Sequence, residues 1–427
     1  MGYGWVLANA YYALITKSSR TILLRIGLIG KTNAGKTTFF NAATLLSAPV
    51  SNYPFTTKKP TIGQAFVKTI CVCRELGVKD NPRNSSCIDG ARFIPLQLID
   101  LPGLIKGSWE GKGLGTRFLS VAAQADALIH IADASGSVDA EGKITKPGMG
   151  NPVADVYDIE EELVRWFAKT IEKSLKKLKK PSKKGLEVDR LFAQDLAGLK
   201  ITTAHVTHAL EANALVEKDL RRWTRDDVWN FAKSIRQTSK PTLIVANKMD
   251  LAPAEKNYEK LVIEFGQAFV IAASSDAELA LRRGEQKGYV EYVPGEEVFR
   301  VKNESKLTAE QRAALTYVEQ RVLSKWIRTG VQFALNTCVF KLMGMNVVYP
   351  VEDADKYSDR KGNVLPDALL VPYNASVPDL AREIHTDLAK TLIYAVDART
   401  KVRVPADYKL KDRDVVTVVA ASKARAT

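Results

Sequence analysis

The chain has 427 residues, and its 62 Lys and Arg outnumber its 48 Asp and Glu, which gives a net charge of +14 at pH 7. Its apolar fraction of 46% can build several cores, so wholesale disorder is excluded, and the length predicts roughly two to four domains. No apolar run reaches the roughly 18 residues that a membrane-spanning helix requires. The positive charge favours a polyanionic partner, nucleic acid or anionic lipid, over a neutral metabolite alone.

The cysteines and the N-terminal segment carry little information about function. The four cysteines include no CxxC pair and only four histidines are present, a pattern that argues against a zinc site and is typical of reduced thiols in a cytoplasmic protein. Cys71 and Cys73 lie in an apolar stretch that we interpret as a strand. Residues 1–22 are interpreted as an N-terminal extension, because no basic residue precedes the apolar Trp5–Ile15 segment as in a secretory signal.

Apolar runs and helical patterns alternate along much of the chain. The apolar run at 21–29 is followed by a glycine-rich turn and the helix-like sequence TTFFNAATLL. Further strand-like runs occur at 62–73, 93–99, 126–132, 241–246 and 268–272. Strands that alternate with helices predict an α/β fold with a parallel sheet.

A long polar segment interrupts this alternation. Residues 151–239 have a helical pattern, with Ile171, Leu175 and Leu178 on one face and lysines on the others. The strand pattern resumes after this segment. We therefore predict a helical insertion within the α/β domain, not a separate tandem domain.

The C-terminal part changes from a helical pattern to short strands. The sequence TAEQ at 308–311 is a capping box ahead of roughly twenty helix-compatible residues. Strand patterns follow at 339–351 and 414–420, and SVPD at 376–379 predicts the start of a single helix that ends near Lys390. Strands around one helix predict a small α+β module.

The sequence GKTNAGKT at 30–37 matches the phosphate-binding loop pattern GxxxxGK followed by Thr or Ser. It follows a predicted strand and opens a predicted helix, as that pattern requires. Backbone N–H groups are predicted to bind the phosphates, with Lys36 on the β- and γ-phosphates and the Thr37 hydroxyl on Mg²⁺. The residues predicted to bind nucleotide here are Lys31, Thr32, Asn33, Ala34, Gly35, Lys36, Thr37 and Thr38.

A second motif, DLPG at 100–103, directly follows the predicted strand at 93–99. A carboxylate at a strand end can hold Mg²⁺, so Asp100 is a predicted metal ligand. The backbone N–H of Gly103 is predicted to sense the γ-phosphate, and with Lys36 this residue belongs to the predicted catalytic set. Further glycines in 107–115 predict a mobile loop.

A third motif, NKMD at 247–250, also directly follows a predicted strand. Asp250 can accept hydrogen bonds from the ring N–H and the exocyclic amine of guanine, a donor pair that adenine lacks. The Lys248 side chain is predicted to cover the base, and Ser274 or Ser275 to offer a backbone N–H to the guanine carbonyl. With Asn247, these residues predict GTP as the nucleotide.

In these motifs the sequence resembles the Obg/YchF family of translation-associated GTPases, with the archaeal YchF-like branch most similar. The resemblance rests on YPFTTKKPTIG at 53–63 and DLPGLIKGSWEGKGLGTRFL at 100–119, similar to the family's two switch regions. It implies a P-loop NTPase G domain with a parallel sheet, a helical insertion and a C-terminal β-grasp domain similar to TGS domains. The implied boundaries are an extension at 1–22, a split G domain at 23–140 and 240–285, the insertion at 141–239, a connector and helix at 286–335, and the TGS-like domain at 336–422.

The resemblance also implies further residue roles. In such GTPases a switch I threonine binds Mg²⁺ and the γ-phosphate, so Thr56 and Thr57 are candidates and Thr57 is favoured. Many GTPases orient the attacking water with a glutamine directly after DxxG. Here that position is Leu104, and an apolar side chain cannot polarise water, so intrinsic hydrolysis is expected to be slow.

Two other residues are candidates for assisting hydrolysis. Asn33 occupies the P-loop position at which related GTPases bind K⁺, a cation that would neutralise transition-state charge; the alternative is an Asn that only caps the loop. His130 stands where the resemblance to YchF implies a histidine that acts in hydrolysis. A single histidine in an apolar strand is more often a packed core residue.

The predicted activity is Mg²⁺-dependent hydrolysis of GTP to GDP and phosphate by a cytoplasmic, monomeric protein without membrane contact. The resemblance implies the ribosome or ribosomal RNA as the partner whose binding the nucleotide state switches. One alternative is a nucleotide-gated binding module whose hydrolysis is incidental. Another is an ATPase like YchF proper, which carries Asn-x-x-Glu where this chain keeps NKMD.

One segment holds half of the excess charge. Residues 169–184 contain eight lysines and one acidic residue, so their net charge is 8 − 1 = +7. A solvated helix face is the ordinary interpretation of such a run. Its position beside Pro181-Ser182 favours contact with a phosphate backbone, and the lack of interleaved aromatic residues indicates no base readout. We hypothesise that removing the lysines of 176–184 weakens ribosome binding and leaves GTP affinity intact.

Overall fold

The computed structural model describes residues 23–46, 60–103, 107, 109, 115–178 and 188–421, apart from the side chains of 115–118. The described residues do not include the N-terminal extension, most of the switch I sequence with Thr56 and Thr57, Leu104, or the lysines at 179, 180, 183 and 184. The described residues form two compact units. The first contains those of 25–64 and 97–338, and the second those of 65–96 and 339–421.

The strands have the following bounds in chain order. They are β1 (Arg25–Ile29), β2 (Thr61–Ile70), β3 (Ser86–Ile88), β4 (Ala91–Asp100), β5 (Ala127–Asp133), β6 (Thr242–Asn247), β7 (Val270–Ala272), β8 (Val290–Glu291), β9 (Arg300–Val301), β10 (Met345–Val351), β11 (Leu369–Pro372), β12 (Leu392–Asp397), β13 (Arg403–Val404) and β14 (Val415–Ala420).

The helices are α1 (Lys36–Thr44), α2 (Cys73–Leu76), α3 (Gly115–Ala123), α4 (Pro152–Leu178), α5 (Val188–Asp195), α6 (Thr203–Ala212), α7 (Arg225–Ser239), α8 (Ala254–Phe265), α9 (Ser275–Gln286), α10 (Ala309–Val318), α11 (Ser324–Trp326), α12 (Val331–Asn336), α13 (Val377–Ile384) and α14 (Thr386–Lys390). Among the described residues, no helix combines the length and the apolarity needed to cross a membrane.

The main sheet has the strand order β2-β4-β1-β5-β6-β7, with β3 paired to β4. Strands β1, β4, β5, β6 and β7 pair in parallel. Every residue of β5 is buried, because the central strands of a parallel sheet are covered on both faces. The polar ends of these strands therefore meet at one edge of the sheet, where ligands bind in such folds.

The segment between β5 and β6 is largely helical. These two strands are neighbours in the sheet, and the chain between them forms α4 to α7. Ile171, Leu175 and Leu178 of α4 are buried, as the helical pattern predicts, in a core that includes Phe192 and Phe231. The apolar stripe of α4 thus holds the helical segment together, and its other faces stay available for charged residues.

The second unit contains a five-stranded sheet with the order β11-β10-β14-β12-β13. Strand β10 runs antiparallel to β11 and parallel to β14, which in turn is antiparallel to β12. Helix α13 packs on the sheet through Val377 and Leu380, both fully buried beside Val348 and Val416. This arrangement is an α+β module, as the short-strand pattern predicts.

Three predicted elements differ from the observed ones. Strand β2 ends at Ile70, so Cys71 and Cys73 are not in a strand. The predicted strand from 339 begins at Met345, because residues 337–342 continue the turns of α12 and Gly344 then takes a left-handed conformation with φ 61°. The single predicted helix to Lys390 is interrupted at the extended residue His385.

Candidate nucleotide-binding site

The loop 30–37 connects β1 to α1. Gly30 and Gly35 have φ values of 140° and 98°, a region that side chains other than hydrogen disfavour. A Cβ atom on Gly35 would lie 2.2 Å from Nδ2 of Asn247, so this position admits only glycine. Helix α1 has no acidic residue in its first turn and no side chain that caps it. Its first N–H groups are therefore suited to an anion, and Thr38 lies in the same turn.

Lys36 lies inside this loop. Its side chain is buried, and its Nζ donates a hydrogen bond to the Lys31 carbonyl oxygen at 2.7 Å. Burial lowers the pKa of Lys36 to about 8, although the nearby Asp100 carboxylate acts to raise it. The amine is therefore positively charged at neutral pH and is desolvated, which strengthens its attraction to a phosphate.

The first two motifs meet at Asp100. Its Oδ2 accepts a hydrogen bond from the Thr37 hydroxyl at 2.7 Å, and its Oδ1 is buried without a partner among the described residues. Burial raises the pKa of Asp100, and Thr37 and Lys36 act to lower it. Gly103 lies so close to the P-loop that an added Cβ would be 2.3 Å from the Thr32 hydroxyl oxygen. The DxxG motif and the P-loop therefore form one site.

Asn247 and Asp250 are held by the residues that follow β7. The Asn247 side chain donates to the Ala34 carbonyl at 3.0 Å and accepts from the backbone N–H of Ser275 at 3.1 Å. Asp250 accepts a hydrogen bond from the Ser274 hydroxyl at 2.7 Å. Ser274 and Ser275 thus orient the side chains of the NKMD motif, and a base contact from a backbone N–H of this pair stays a prediction.

Lys248 is positioned by residues that the sequence patterns did not indicate. Its backbone is left-handed, with φ 64°, and its Nζ donates to Oδ2 of Asp133 at 2.9 Å and to the Ser137 hydroxyl at 3.0 Å. Asp133 also accepts hydrogen bonds from the hydroxyls of Ser135 and Ser137. A buried carboxylate at the end of β5 therefore fixes the lysine beside Asn247. The DASGS sequence at 133–137 was the available signal.

The loop after β5 also contacts the P-loop. The Asn33 side chain donates to the Gly142 carbonyl at 3.0 Å, and Asn33 has a left-handed backbone with φ 63°. A Cβ on Gly142 would lie 3.1 Å from Cβ of Thr32. Asn33 therefore links two loops, and both the capping role and the K⁺-binding role considered for it stay predictions.

Helix α4 contacts the nucleotide site at two levels, neither of which a motif predicts. Near its N-terminus, Asp155 forms a buried ion pair with Lys31 of the P-loop, with 2.5 Å between Nζ and Oδ1. Two turns later the buried Glu162 accepts hydrogen bonds from the backbone N–H groups of Gly107 at 2.7 Å and Trp109 at 3.0 Å. One rigid helix thus contacts both the P-loop and the segment after DxxG.

His130 is part of the sheet core. It lies in β5 opposite Ile29, it is 2% exposed, and its Nε2 has no partner among the described residues. Burial lowers the pKa of His130 to about 3, with Arg236 and Lys36 adding to the effect. The ring is therefore neutral at physiological pH, as expected for a packed core residue.

Replacing His130 by Gln is expected to make the protein less sensitive to mild acid. The lowered pKa means that the unfolded chain binds a proton below the ordinary value of 6.5 whereas the folded chain stays neutral, so stability falls as the pH drops from 6.5 towards 3. Between pH 7 and pH 5 this linkage costs about 2 kcal/mol of unfolding free energy. Urea unfolding at both pH values measures this loss of stability. If the wild type and His130→Gln lose the same unfolding free energy between pH 7 and pH 5, the prediction is contradicted.

Family models match three parts of the chain. A 50S ribosome-binding GTPase model matches residues 25–154. A model of the Obg-like GTPase YGR210-like, G4 motif-containing domain matches 245–353. A TGS domain model matches 361–420.

Similar proteins match over almost the whole length. The chain is 44% identical to a GTP-binding protein of Methanocaldococcus jannaschii over 93% of this chain and 99% of that protein. A crystal structure of a GTP-binding protein from Pyrococcus horikoshii is 33% identical, with a TM-score of 0.75 over 93% of this chain and 100% of that one. The YchF GTPase of Schizosaccharomyces pombe shares the fold, with a TM-score of 0.51 at 16% identity over 94% of this chain and 98% of that one.

These matches confirm the predicted fold class, a G domain with a parallel sheet and a C-terminal TGS domain. They also confirm the prediction of a GTP-binding P-loop GTPase. The chain belongs to the Obg-like family of P-loop GTPases, the group that includes YchF.

Proposed function

We propose that this GTPase uses its nucleotide state to control its binding to the ribosome or ribosomal RNA. Helix α4 is the observation that carries the proposal. It has 27 residues and so spans roughly 40 Å, it contacts the P-loop through Asp155 and the DxxG segment through Glu162, and its C-terminal turns carry exposed lysines. A rearrangement at the γ-phosphate would therefore move a helix that ends in a basic surface.

Lys36, the P-loop N–H groups and the N-terminus of α1 bind the phosphates in this proposal. Lys36 holds the β- and γ-phosphates and, with the Gly103 N–H, stabilises charge as water attacks the γ-phosphate. The buried Asp100 oxygen without a partner and the Thr37 hydroxyl fit Mg²⁺, which takes oxygen ligands and would neutralise phosphate charge when bound. Thr57 is the proposed switch I ligand and lies outside the described residues.

Guanine selectivity rests on Asp250 with Asn247 and Lys248. The Asp250 carboxylate is oriented by Ser274, and because it only accepts hydrogen bonds it has no hydrogen to donate to the ring nitrogen of adenine. We therefore propose GTP over ATP as the substrate. Comparable affinities for the two nucleotides in a competition assay would contradict this choice.

Leu104 supplies no polar group for the attacking water, so intrinsic hydrolysis is proposed to be slow, with K⁺ at Asn33 as the candidate aid. A binding module with incidental hydrolysis is the second candidate function, and Leu104 is the residue that favours it. Single-turnover hydrolysis of GTP with and without ribosomes, in K⁺ and in Na⁺, distinguishes the two. Acceleration by ribosomes supports the switch, and a rate that stays slow under every condition supports the binding module.

The ribosome or its RNA fits the basic end of α4. Lys173, Lys176 and Lys177 are exposed there, with Lys177 in an ion pair with Asp195. The matched family model is itself described as a ribosome-binding GTPase. The remaining lysines of 169–184, from 179 onwards, lie outside the described residues. A ribosomal partner places the protein in the cytoplasm.

Every predicted motif of the site comes from one chain, so a monomer is the proposed active form. The domain boundaries that the resemblance implies, with the insertion at 141–239 and the TGS-like domain at 336–422, form part of the proposal.

The contact between α4 and the DxxG segment belongs to the first unit alone. The contribution of this contact to nucleotide-controlled ribosome binding can therefore be tested without changing the second unit.

Replacing Glu162 by Gln is expected to uncouple ribosome binding from the nucleotide. The amide has one acceptor oxygen and no charge, so one of the two N–H contacts to Gly107 and Trp109 is lost, at a cost of roughly 1.5–3 kcal/mol. The ratio of ribosome-bound protein with a GTP analogue to that with GDP should fall towards one, with GTP affinity within about threefold of wild type. Co-sedimentation and a nucleotide-binding titration measure the two quantities.

Glu161→Gln is the matched control. Glu161 is the adjacent residue on α4, is exposed, and pairs only with Arg165 on the same helix among the described contacts. The Glu161→Gln variant should keep the wild-type ratio of ribosome binding with a GTP analogue to that with GDP. A wild-type ratio in Glu162→Gln as well would show that this contact does not transmit the nucleotide state.

A further inference from the structure

Three cysteines and an aspartate converge in the second unit. The Sγ atoms of Cys71, Cys73 and Cys87 and a carboxylate oxygen of Asp80 all lie within 4.8 Å of one another. Cys71 and Cys73 are buried and Cys87 is half-buried, and none of them is in a disulfide. These are the side chains that bind zinc in structural sites.

The local fold brings the four groups together from three elements. Strand β2 ends at Ile70, and the Cys71 N–H donates to the Gly90 carbonyl at 2.8 Å. Cys73 opens the single-turn helix α2, and Asp80 lies in the loop that follows. Cys87 is the middle residue of β3, directly opposite Arg92 of β4. Ligands from a turn, a loop and a hairpin are typical of small metal sites.

The distances match a tetrahedral zinc ion. With Zn–S bonds of about 2.3 Å and Zn–O bonds of about 2.1 Å, tetrahedral angles separate two sulfurs by about 3.8 Å and a sulfur from an oxygen by about 3.6 Å. Cys73 Sγ and Cys87 Sγ are 3.9 Å apart, and Cys71 Sγ and Asp80 Oδ2 are 3.3 Å apart. A disulfide would require about 2.0 Å.

A buried arginine supports the candidate carboxylate ligand. Nη1 of Arg92 donates to Oδ2 of Asp80 at 2.8 Å, and its Nη2 donates to the Leu365 carbonyl at 2.6 Å. The Arg92 side chain is 0% exposed and lies over the ring of Tyr349. Carboxylates that bind metals are usually held by such a hydrogen bond. The arginine would also offset part of the negative charge of three thiolates and a carboxylate around a divalent cation.

We propose that Cys71, Cys73, Cys87 and Asp80 bind one structural Zn²⁺ ion. The ion would hold the chain between α2 and β3 in place. The backbone N–H of Asn81 donates to the Val364 carbonyl at 2.8 Å, and that of Arg83 donates to the Pro366 carbonyl at 2.7 Å. Arg83 also pairs with Asp367 at 2.7 Å. The metal would thus fix the loop that binds the segment before β11.

The proposal departs from the expectation of ordinary reduced thiols without zinc. No zinc motif predicts this site, because the cysteines form CxC and a single cysteine 14 residues later instead of two CxxC pairs, and because the fourth ligand is an aspartate. The inference is independent of the proposed nucleotide switch, since these residues belong to the second unit and the nucleotide motifs to the first.

The test uses the full chain, loaded with Zn²⁺ under reducing conditions, with the excess removed and the bound zinc measured by mass spectrometry. About one zinc per chain is expected for the wild type and for Cys338→Ala, which removes the buried cysteine outside the cluster. Less than about a fifth of a zinc ion per chain is expected for Cys73→Ser and Cys87→Ser. A wild type without zinc, or serine variants that retain it, would overturn the proposal.

A second measurement needs no variant and so does not depend on whether variants fold. Co²⁺ in place of Zn²⁺ should give the strong visible bands of a tetrahedral, thiolate-ligated ion. In the zinc-loaded wild type, alkylation of Cys73 and Cys87 should be slow until a chelator is added, and Cys338 should stay protected in both cases. Alkylation that does not respond to the chelator, or a Cys73–Cys87 disulfide in the folded protein, would overturn the proposal.

Discussion

Replacing Asp250 by Asn should lower the affinity for GTP by roughly 10²- to 10⁴-fold. The carboxylate is expected to accept two hydrogen bonds from guanine, and bonds to a charged group contribute roughly 1.5–3 kcal/mol each. Its Oδ1 is already fixed by the Ser274 hydroxyl at 2.7 Å, so the group is oriented before the base arrives. Asparagine can accept only one of the two bonds and places an N–H donor against the exocyclic amine.

The same variant should gain affinity for xanthosine triphosphate. Xanthine has a carbonyl in place of the exocyclic amine of guanine, so the Asn side chain can donate to that carbonyl and accept from the ring N–H. Titration of both nucleotides into the wild type and Asp250→Asn measures the exchange of preference. A folding defect would weaken the binding of both nucleotides. Unchanged GTP affinity would show that Asp250 does not contact the base.

Replacing Lys36 by Met should slow single-turnover GTP hydrolysis by roughly 10²- to 10³-fold. Removing one hydrogen-bond donor that is oriented towards developing negative charge slows the reaction of other enzymes by about this factor. Lys36 is buried, and its pKa of about 8 leaves it charged at pH 7. Methionine keeps most of the side-chain volume but removes both the charge and the hydrogen bond to the Lys31 carbonyl.

Lys240→Met is the matched control for loss of a buried lysine. The Lys240 side chain is 1% exposed, and its Nζ donates to the carbonyls of Ala125 at 2.9 Å and Leu199 at 2.8 Å. This variant should lower the unfolding midpoint and leave hydrolysis at the wild-type rate. Equal losses of hydrolysis in the two variants would mean that a general loss of stability, and no phosphate contact, explains the effect of Lys36→Met.

The sequence predicted those parts of the candidate site that lie in contiguous motifs. The phosphate loop, DxxG and NKMD each have fixed spacing because one turn must present several groups to the same ligand. The structure brings Thr37 to Asp100 and Asn247 to Ala34, as a shared site requires. The helical pattern of α4 was equally informative, because burial of one face imposes a period that can be read from the apolar residues.

Contacts between distant residues could not be predicted, since no spacing rule connects them. Glu162 of helix α4 accepts hydrogen bonds from the Gly107 and Trp109 amides, and Asp133 at the end of β5 pairs with Lys248, which directly follows β6. A single buried carboxylate among many acidic residues has no sequence signature. The strand predicted from 339 failed for a related reason: Cys338 and Val339 are fully buried in helical turns, so tertiary packing overrides the local preference for a strand.

Co-sedimentation with ribosomes across a salt series tests the central claim most directly. The wild type, with a GTP analogue, with GDP or without nucleotide, is compared with a variant in which Lys173, Lys176 and Lys177 are Gln. A second triple variant changes exposed lysines elsewhere in the first unit, Lys233, Lys256 and Lys287, to Gln. We predict that binding depends on the nucleotide, and that only the α4 variant makes the dependence of log K on log salt shallower, by about two to three units. Equal binding in all nucleotide states, or equal salt slopes for the two variants, would contradict a nucleotide-controlled RNA contact through α4.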